Sequence, residues 1–382
     1  MPPTRREFLV TATTTGALSV SPGARRDRYA LFSQGRIAGL RLKNRLVRSA
    51  TAENAWHDTE MTDEGLNLYR NLAAGGVGLI ITGYMAVTPE GRSSDLQTRI
   101  CDDRFIAGLR KLASVIHQTN KACRVVAQIG HTGMQAQVSE PVGPTAVAWP
   151  QSKAKPRALS TAEVEAIVTS FAQAVRRAKE AGFDGVQLHG AHGYLLSSFL
   201  SPYTNTRNDK YGGTVENRVA VIREIVQQAR KLVGPAFPIL IKMNGDDAVK
   251  GGIDIQTFPQ LAGEIEKAGV QAIEISGNNP VRQNIARPED ESYFLKYAQA
   301  LQVKIPVIVT GGNRSVERLE QALKSRTPQF FGLARPLVRE PDLPLRWLEG
   351  RGAPEAACIS CNRCIRAFGK GLPTRCRVNE AA

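Results

Sequence analysis

The stretch that decides the fold begins Ser160-Thr161-Ala162-Glu163-Val164, passes through Ile167, Phe171 and Val175, and ends Gly182-Phe183-Asp184-Gly185-Val186-Gln187-Leu188-His189-Gly190. Ser160 and Glu163 form a capping-box pattern ahead of an apolar stripe at i, i+3 and i+7, which predicts an amphipathic helix. Gly182 stops that helix, and the run after it is short and apolar, as a buried strand is. The same grammar repeats on both sides. Strands are expected at Arg45–Ala50, Gly78–Tyr84, Arg124–His131, Gly185–Gly190, Pro238–Asn244, Ala272–Gly277, Pro306–Gly312 and Phe330–Ala334. Strands that alternate with helices imply a parallel sheet covered on both faces. Eight such units imply a closed (β/α)8 arrangement, the TIM barrel of the α/β class. An open doubly wound sheet is the rival, but no Gly-x-Gly-x-x-Gly follows any of these strands. Residues Leu31–Lys43 read as a hairpin closing the barrel bottom.

Composition bounds the rest. The chain has 382 residues, 42% of them hydrophobic and 22% charged, enough to bury a large core. No run of 18 apolar residues occurs, so no integral membrane span is expected. The net charge of +15 invites a nucleic-acid reading. The basic residues are spread along the chain instead of gathered in one arm, and nucleic acid is therefore not expected as a partner. Three parts follow: an N-terminal segment 1–24, a barrel 29–350, and a cysteine-rich extension 351–382. In the first, Arg5-Arg6 ahead of Phe8-Leu9 resembles a twin-arginine export signal, which predicts a periplasmic or exported protein.

Barrel chemistry sits where strands end, so those ends locate the candidate site. Strand one ends in Ser49-Ala50-Thr51, strand two in Gly83-Tyr84, and strand three in Gln128-Ile129-Gly130-His131. Strand four ends in His189-Gly190-Ala191-His192-Gly193-Tyr194, and strand five carries Lys242. Strands seven and eight end in Gly311-Gly312 and Ala334-Arg335. Two glycines opening a helix, with an arginine on the next strand, suit a phosphate. Imidazole N–H groups can grip a carbonyl oxygen and a tyrosine hydroxyl can deliver a proton. The same histidines, with His131, could instead hold a metal. At the C-terminus, Cys358-x2-Cys361-x2-Cys364-x11-Cys376 is compatible with a four-thiolate zinc site, two disulfides or a cubane iron–sulfur cluster.

The block from His189 to Tyr194, followed by Phe199-Leu200-Ser201-Pro202 and Asn205-x-Arg207-x-Asp209-x-Tyr211-Gly212-Gly213-Thr214-x-Glu216-Asn217-Arg218, resembles the Old Yellow Enzyme family of flavin oxidoreductases. The resemblance runs from about Leu31 to the C-terminus. It implies an FMN cofactor, with Ser49, Ala50, Thr51 and Tyr84 lining the flavin and Gln128 on its pyrimidine edge. Lys242 falls where many relatives have arginine, beside flavin N1 and O2. It keeps the charge and loses the bidentate fork. Gly312, Ala334 and Arg335 would hold the phosphate. His189 and His192 would bind a substrate carbonyl, and Tyr194 would donate the proton.

What the resemblance implies is reduction of the C=C bond of an α,β-unsaturated carbonyl compound, an enone or enoate. Hydride would come from flavin N5 and the proton from Tyr194. NAD(P)H is the electron donor this suggests. The segment Cys358-Ile359-Ser360-Cys361-Asn362-Arg363-Cys364 also resembles the [4Fe-4S] segment of iron–sulfur members of the family, which makes Cys358, Cys361, Cys364 and Cys376 candidate ligands. Those members continue into a dinucleotide-binding domain, and this chain is expected to stop short of one. An external redox protein would then exchange electrons through the cluster. An amine dehydrogenase or demethylase is the alternative activity, although the His pair favours carbonyl substrates. Substrate selectivity is expected from residues 145–159, with Trp149 and Pro156, folded over the flavin as a flap. Tyr293 and Phe294 receive no role.

Overall fold

In the computed structural model the described residues are 29–380, apart from 151, 153, 154, 279, 280, 286 and 326. The export signal expected at 1–24 lies outside them. Eight parallel strands form a closed sheet: β1 (Leu46–Arg48), β2 (Leu79–Ile81), β3 (Arg124–Gly130), β4 (Gly185–Gly190), β5 (Ile239–Asp246), β6 (Ile273–Gly277), β7 (Val307–Val309) and β8 (Phe330–Leu333). Each pairs with its sequence neighbours, β8 pairs with β1, and β3 pairs with β4, so no barrel edge is left open. All eight expected strands are present. Several are shorter than expected because their last residues leave the ladder to build the site. Ser49, Ala50 and Thr51 lie beyond β1, and Thr310–Gly312 lie beyond β7.

The barrel floor is apolar for a physical reason. Val47, Leu79, Ile81, Val126, Leu240, Ala272, Ile308 and Phe330 point inward and pack with Ile37 and Leu42. The last two belong to the expected hairpin, whose strands Gly35–Ile37 and Leu40–Leu42 pair antiparallel. The hairpin therefore plugs the bottom with side chains and leaves only the opposite end for chemistry.

Helices α1 (Asp63–Ala74), α2 (Ile106–Thr119), α3 (Thr161–Glu180), α4 (Ala220–Val233), α5 (Phe258–Lys267), α6 (Leu295–Gln299) and α7 (Val316–Leu323) follow β1 to β7 in turn. In α3 the capping box is complete: Ser160 accepts from the Glu163 amide, and Glu163 accepts from the Ser160 amide at 2.8 Å. Its buried stripe, Val164, Ile167, Val168, Phe171 and Val175, faces the barrel. Burial of each large member contributes about 1.5–3 kcal/mol.

After β8 come α8 (Arg335–Arg339), α9 (Leu343–Glu349) and α10 (Arg363–Gly369). The cysteine-rich segment does not hang free. The Thr374 amide donates to Glu53 O at 2.8 Å and its hydroxyl to Ala52 O at 2.7 Å. Asn54 Nδ2 donates to Phe368 O at 3.0 Å, and the Ala356 amide to Arg314 O at 2.7 Å. The segment thus straps across the barrel mouth at the ends of β1 and β7. We predict that Ser160→Ala, which leaves the Glu163 amide without its cap, lowers stability by about 1 kcal/mol. A shifted urea midpoint with an unchanged slope would register it.

Candidate active site

At the C-terminal ends of the strands lies an open cavity with about 1200 Å³ of empty space. Its walls include Ser49, Ala50, Thr51, Tyr84, Gln128, His189, His192, Tyr194, Lys242, Gly312, Ala334 and Arg335, which are the barrel positions singled out from the sequence. Their convergence follows from strand register: His189 of β4 stands beside Lys242 of β5, and Gln187 of β4 beside Gln128 of β3.

A polar chain crosses the bottom of this cavity. Lys242 Nζ donates to Ser49 Oγ at 2.9 Å and lies 3.2 Å from Glu274 Oε1. Ser49 Oγ donates to the same carboxylate oxygen at 2.6 Å. Gln187 Nε2 donates to Glu274 Oε2 at 2.7 Å, and Gln128 Nε2 donates to Gln187 Oε1 at 2.7 Å. Strands β3, β4, β5 and β6 are joined in this way to the segment that follows β1. Lys242 is 2% and Glu274 0% exposed, so each charge depends on the other for compensation. Burial pulls the Lys242 ammonium below its usual range, and Glu274 opposes that fall. Glu274 and Gln187 were not found from the sequence because they lie inside strands whose only visible signal was apolar patterning.

Above this floor the aromatic rings meet, two pairs edge to face and His189 with Tyr194 tilted at 44°. Ring centroids are 5.0 Å apart for His189 and His192, 4.7 Å for His189 and Tyr194, and 5.2 Å for Tyr84 and Tyr194. His192 adopts a left-handed backbone, φ 63°, and its amide donates to Asn244 Oδ1 at 3.0 Å. Its Nε2 is 2.7 Å from Ser276 Oγ. The Ala191 amide donates to His189 Nδ1 at 3.4 Å, which leaves the His189 proton on Nε2. Burial, then the neighbouring His192 and Lys242, push His189 well below its ordinary value; burial and Lys242 lower His192 to about 3. Both imidazoles are neutral at pH 7 and act as hydrogen-bond groups, not as cations. The Tyr194 hydroxyl donates to that of Tyr84 at 3.0 Å, and Tyr84 lies 2.7 Å from Ser93 Oγ. Burial drives the Tyr194 phenol well above 10, so it keeps its proton.

At the far end of the cavity, Gly311 (φ 96°) and Gly312 (φ 78°) turn the chain under the ring of Tyr293. A Cβ on either glycine would come within 2.9 Å of that ring. The sequence reading needs correction here. These glycines do not open a helix: α7 starts only at Val316, and the Ser315 amide before it is taken by Glu291 Oε2 at 3.1 Å. The helical start beside the cavity is that of α8, at Arg335.

Two further expectations are corrected. Among the described residues of 145–159, none lines the cavity. Trp149 is buried outside it, donating from Nε1 to Gly193 O at 3.1 Å and stacking on Tyr203. Val281, Tyr293, Ile365 and Phe368 form the upper walls instead. Tyr293, left without a role from the sequence, belongs to this wall, and only the chain fold brings it there. His131 does not join the histidine pair. Its Nδ1 accepts from the Gly133 amide at 3.0 Å, and it is absent from the cavity lining.

Cys358 reaches the same cavity, and all four tail cysteines line an adjoining one with Arg335, Asn362 and Arg377. No disulfide forms among them. No three His, Cys, Asp or Glu among the described residues are placed to hold one metal ion. Burial pushes the Cys358 and Cys364 thiols up, while Arg335 pulls them down.

The model of the NADH:flavin oxidoreductase / NADH oxidase family matches residues 30–353. The chain belongs to this family. An NADH oxidase of Thermoanaerobacter brockii is 36% identical over 92% of this chain, which spans 56% of the relative's length. An NADPH dehydrogenase of Bacillus cytotoxicus is 34% identical, over 82% of this chain and 90% of its own. Among solved structures, a 2-naphthoyl-CoA reductase complex superimposes with a TM-score of 0.84 at 26% identity, covering 92% of this chain and 57% of that one. This flavin oxidoreductase family member thus spans about half the length of its longer relatives.

Two outcomes are expected from this geometry. Lys242→Met leaves the Glu274 carboxylate buried and unmatched, and should cost about 3–5 kcal/mol of stability. Adding Glu274→Gln should recover much of it; strictly additive losses in denaturant melts would show the pair is not coupled. Between pH 6.5 and about 3 the unfolded chain binds a proton that folded His192 does not. Stability therefore rises with pH across that window. His192→Asn should flatten the rise, which melts at pH 4, 5 and 6.5 would reveal.

Proposed function

We propose that this protein is an FMN-dependent oxidoreductase that reduces the C=C bond of α,β-unsaturated carbonyl compounds, taking electrons from NADH or NADPH. The observation carrying this reading is the convergence of two neutral imidazoles, a protonated tyrosine and a buried ammonium in one cavity. The cavity fits the cofactor by its chemistry. It offers an apolar slot with polar edge groups at Gln128 and Lys242, and an arginine with two left-handed glycines at the other end. When bound there, FMN supplies hydride transfer.

The chain's own residues supply the rest. His189 Nε2–H, with His192 beside it, is oriented to hold a carbonyl oxygen whose negative charge grows as the double bond is reduced. Neutral imidazoles hold that oxygen by hydrogen bonds and give up no proton to it, which leaves protonation to Tyr194. The Tyr194 hydroxyl holds the proton that the α-carbon needs, and its high pKa keeps that proton in place until the carbon demands it. Lys242 places positive charge at the cavity floor, where a reduced, electron-rich ring would be stabilised.

We further propose that Cys358, Cys361, Cys364 and Cys376 hold an iron–sulfur cluster, and that an external redox protein exchanges electrons through it. The shared cysteine-lined cavity supports this, as does its common wall with the cofactor cavity. Export through the twin-arginine route belongs to the same reading, resting on Arg5-Arg6. Tyr194→Phe should slow reduction of 2-cyclohexenone by about 10²–10⁴-fold while reduction of the flavin by NADPH is retained. Undiminished enone turnover in single-turnover kinetics would take Tyr194 out of this role.

A further inference from the structure

The cofactor cavity and the cysteine cavity have three residues in common: Arg335, Cys358 and Ser360. Arg335 is 8% exposed and belongs to the end of the cavity formed by Gly311, Gly312 and Ala334. Its Nη1 donates to Arg282 O at 2.8 Å and to Asn362 Oδ1. Asn362 comes from the cysteine segment, between Cys361 and Cys364. It is 8% exposed and left-handed, at φ 60° and ψ 12°. Its Nδ2 donates to Val281 O at 3.4 Å, and the preceding left-handed Ser360 accepts from the Asn284 amide at 3.3 Å.

That position makes two demands at once. The backbone must turn through the left-handed region, and a side-chain oxygen must meet a guanidinium. Asparagine satisfies both; glycine satisfies only the first and alanine neither. A guanidinium is a rigid planar fork, so fixing Nη1 from one side sets where its other N–H groups point. Of the two acceptors on Nη1, the Arg282 carbonyl belongs to the barrel and the Asn362 side chain to the cysteine loop.

We propose that Asn362 is a positioning residue for the cofactor phosphate. It orients Arg335 from the cysteine segment, so affinity for a phosphate-bearing flavin depends on how that segment is folded. The inference rests on the flavin reading given under Proposed function. Binding energies are reciprocal, so occupancy of the phosphate site also steadies the cysteine loop.

Riboflavin, which lacks the phosphate, separates this role from a general structural one. The full chain, freed of flavin by dialysis, would be titrated with FMN and with riboflavin, following flavin fluorescence. Wild type should bind FMN more tightly than riboflavin. Asn362→Gly keeps the left-handed turn and removes only the acceptor. It should weaken FMN binding by about tenfold, the size of one hydrogen bond to a charged group, and leave riboflavin unchanged. Asn362→Asp retains an acceptor but sets a negative charge beside the phosphate, and should lower the FMN-to-riboflavin preference as well. A wild-type preference retained in both variants, or FMN and riboflavin weakened equally, overturns the proposal while the flavin reading stands. Wild-type protein that binds neither flavin overturns both.

Discussion

An ammonium and a carboxylate, stripped of water at the centre of the barrel, set the terms for everything above them. Lys242 and Glu274 are each nearly inaccessible and 3.2 Å apart, and Ser49 and Gln187 each donate a further hydrogen bond to the carboxylate. A buried pair of this kind is weak evidence for added stability, but a strong constraint on geometry. If any one of β3, β4, β5 and β6 slipped in register, a charge or an amide would be left unmatched. The barrel mouth is therefore fixed from below, and His189, the ladder partner of Lys242, is fixed with it.

The same constraint explains the electrostatics. Burial holds both histidines neutral, and the nearby Lys242 ammonium acts in the same direction. Tyr194 is driven the other way and stays protonated. The tyrosine and the two imidazoles are thus separated by environment, with no titration between them near neutral pH. The cysteine segment adds the outer wall. Its contacts with Ala52, Glu53 and Arg314 make it part of the cavity and not an appendage.

Much of this was legible in the sequence, and the reasons are physical. Eight apolar strands punctuated by capped helices leave a period that survives in one dimension, so the barrel and its twelve strand-end residues were read from the chain. Residues whose role arises from chain crossing were not. Glu274 and Gln187 look like interruptions in apolar strands until the barrel closes on them. Tyr293 acquires a role only when β6 and β7 stand side by side. Trp149 carried the opposite lesson: a large aromatic in a Pro-rich insertion suggested a flap, yet its indole N–H is satisfied by Gly193 O, outside the cavity. The paired glycines after β7 were read as a helix start, when the turn they make ends in a Glu291 contact.

Family membership is established by the match over residues 30–353, and the relatives differ widely in length, so the chemistry has to be tested on this chain itself. The most direct measurement is the identity of the chromophore. The full chain would be purified, denatured in the dark, and the released small molecule identified by chromatography and mass. The account predicts a yellow protein that releases FMN at close to one molecule per chain. A colourless protein, or one that releases no flavin, would contradict it.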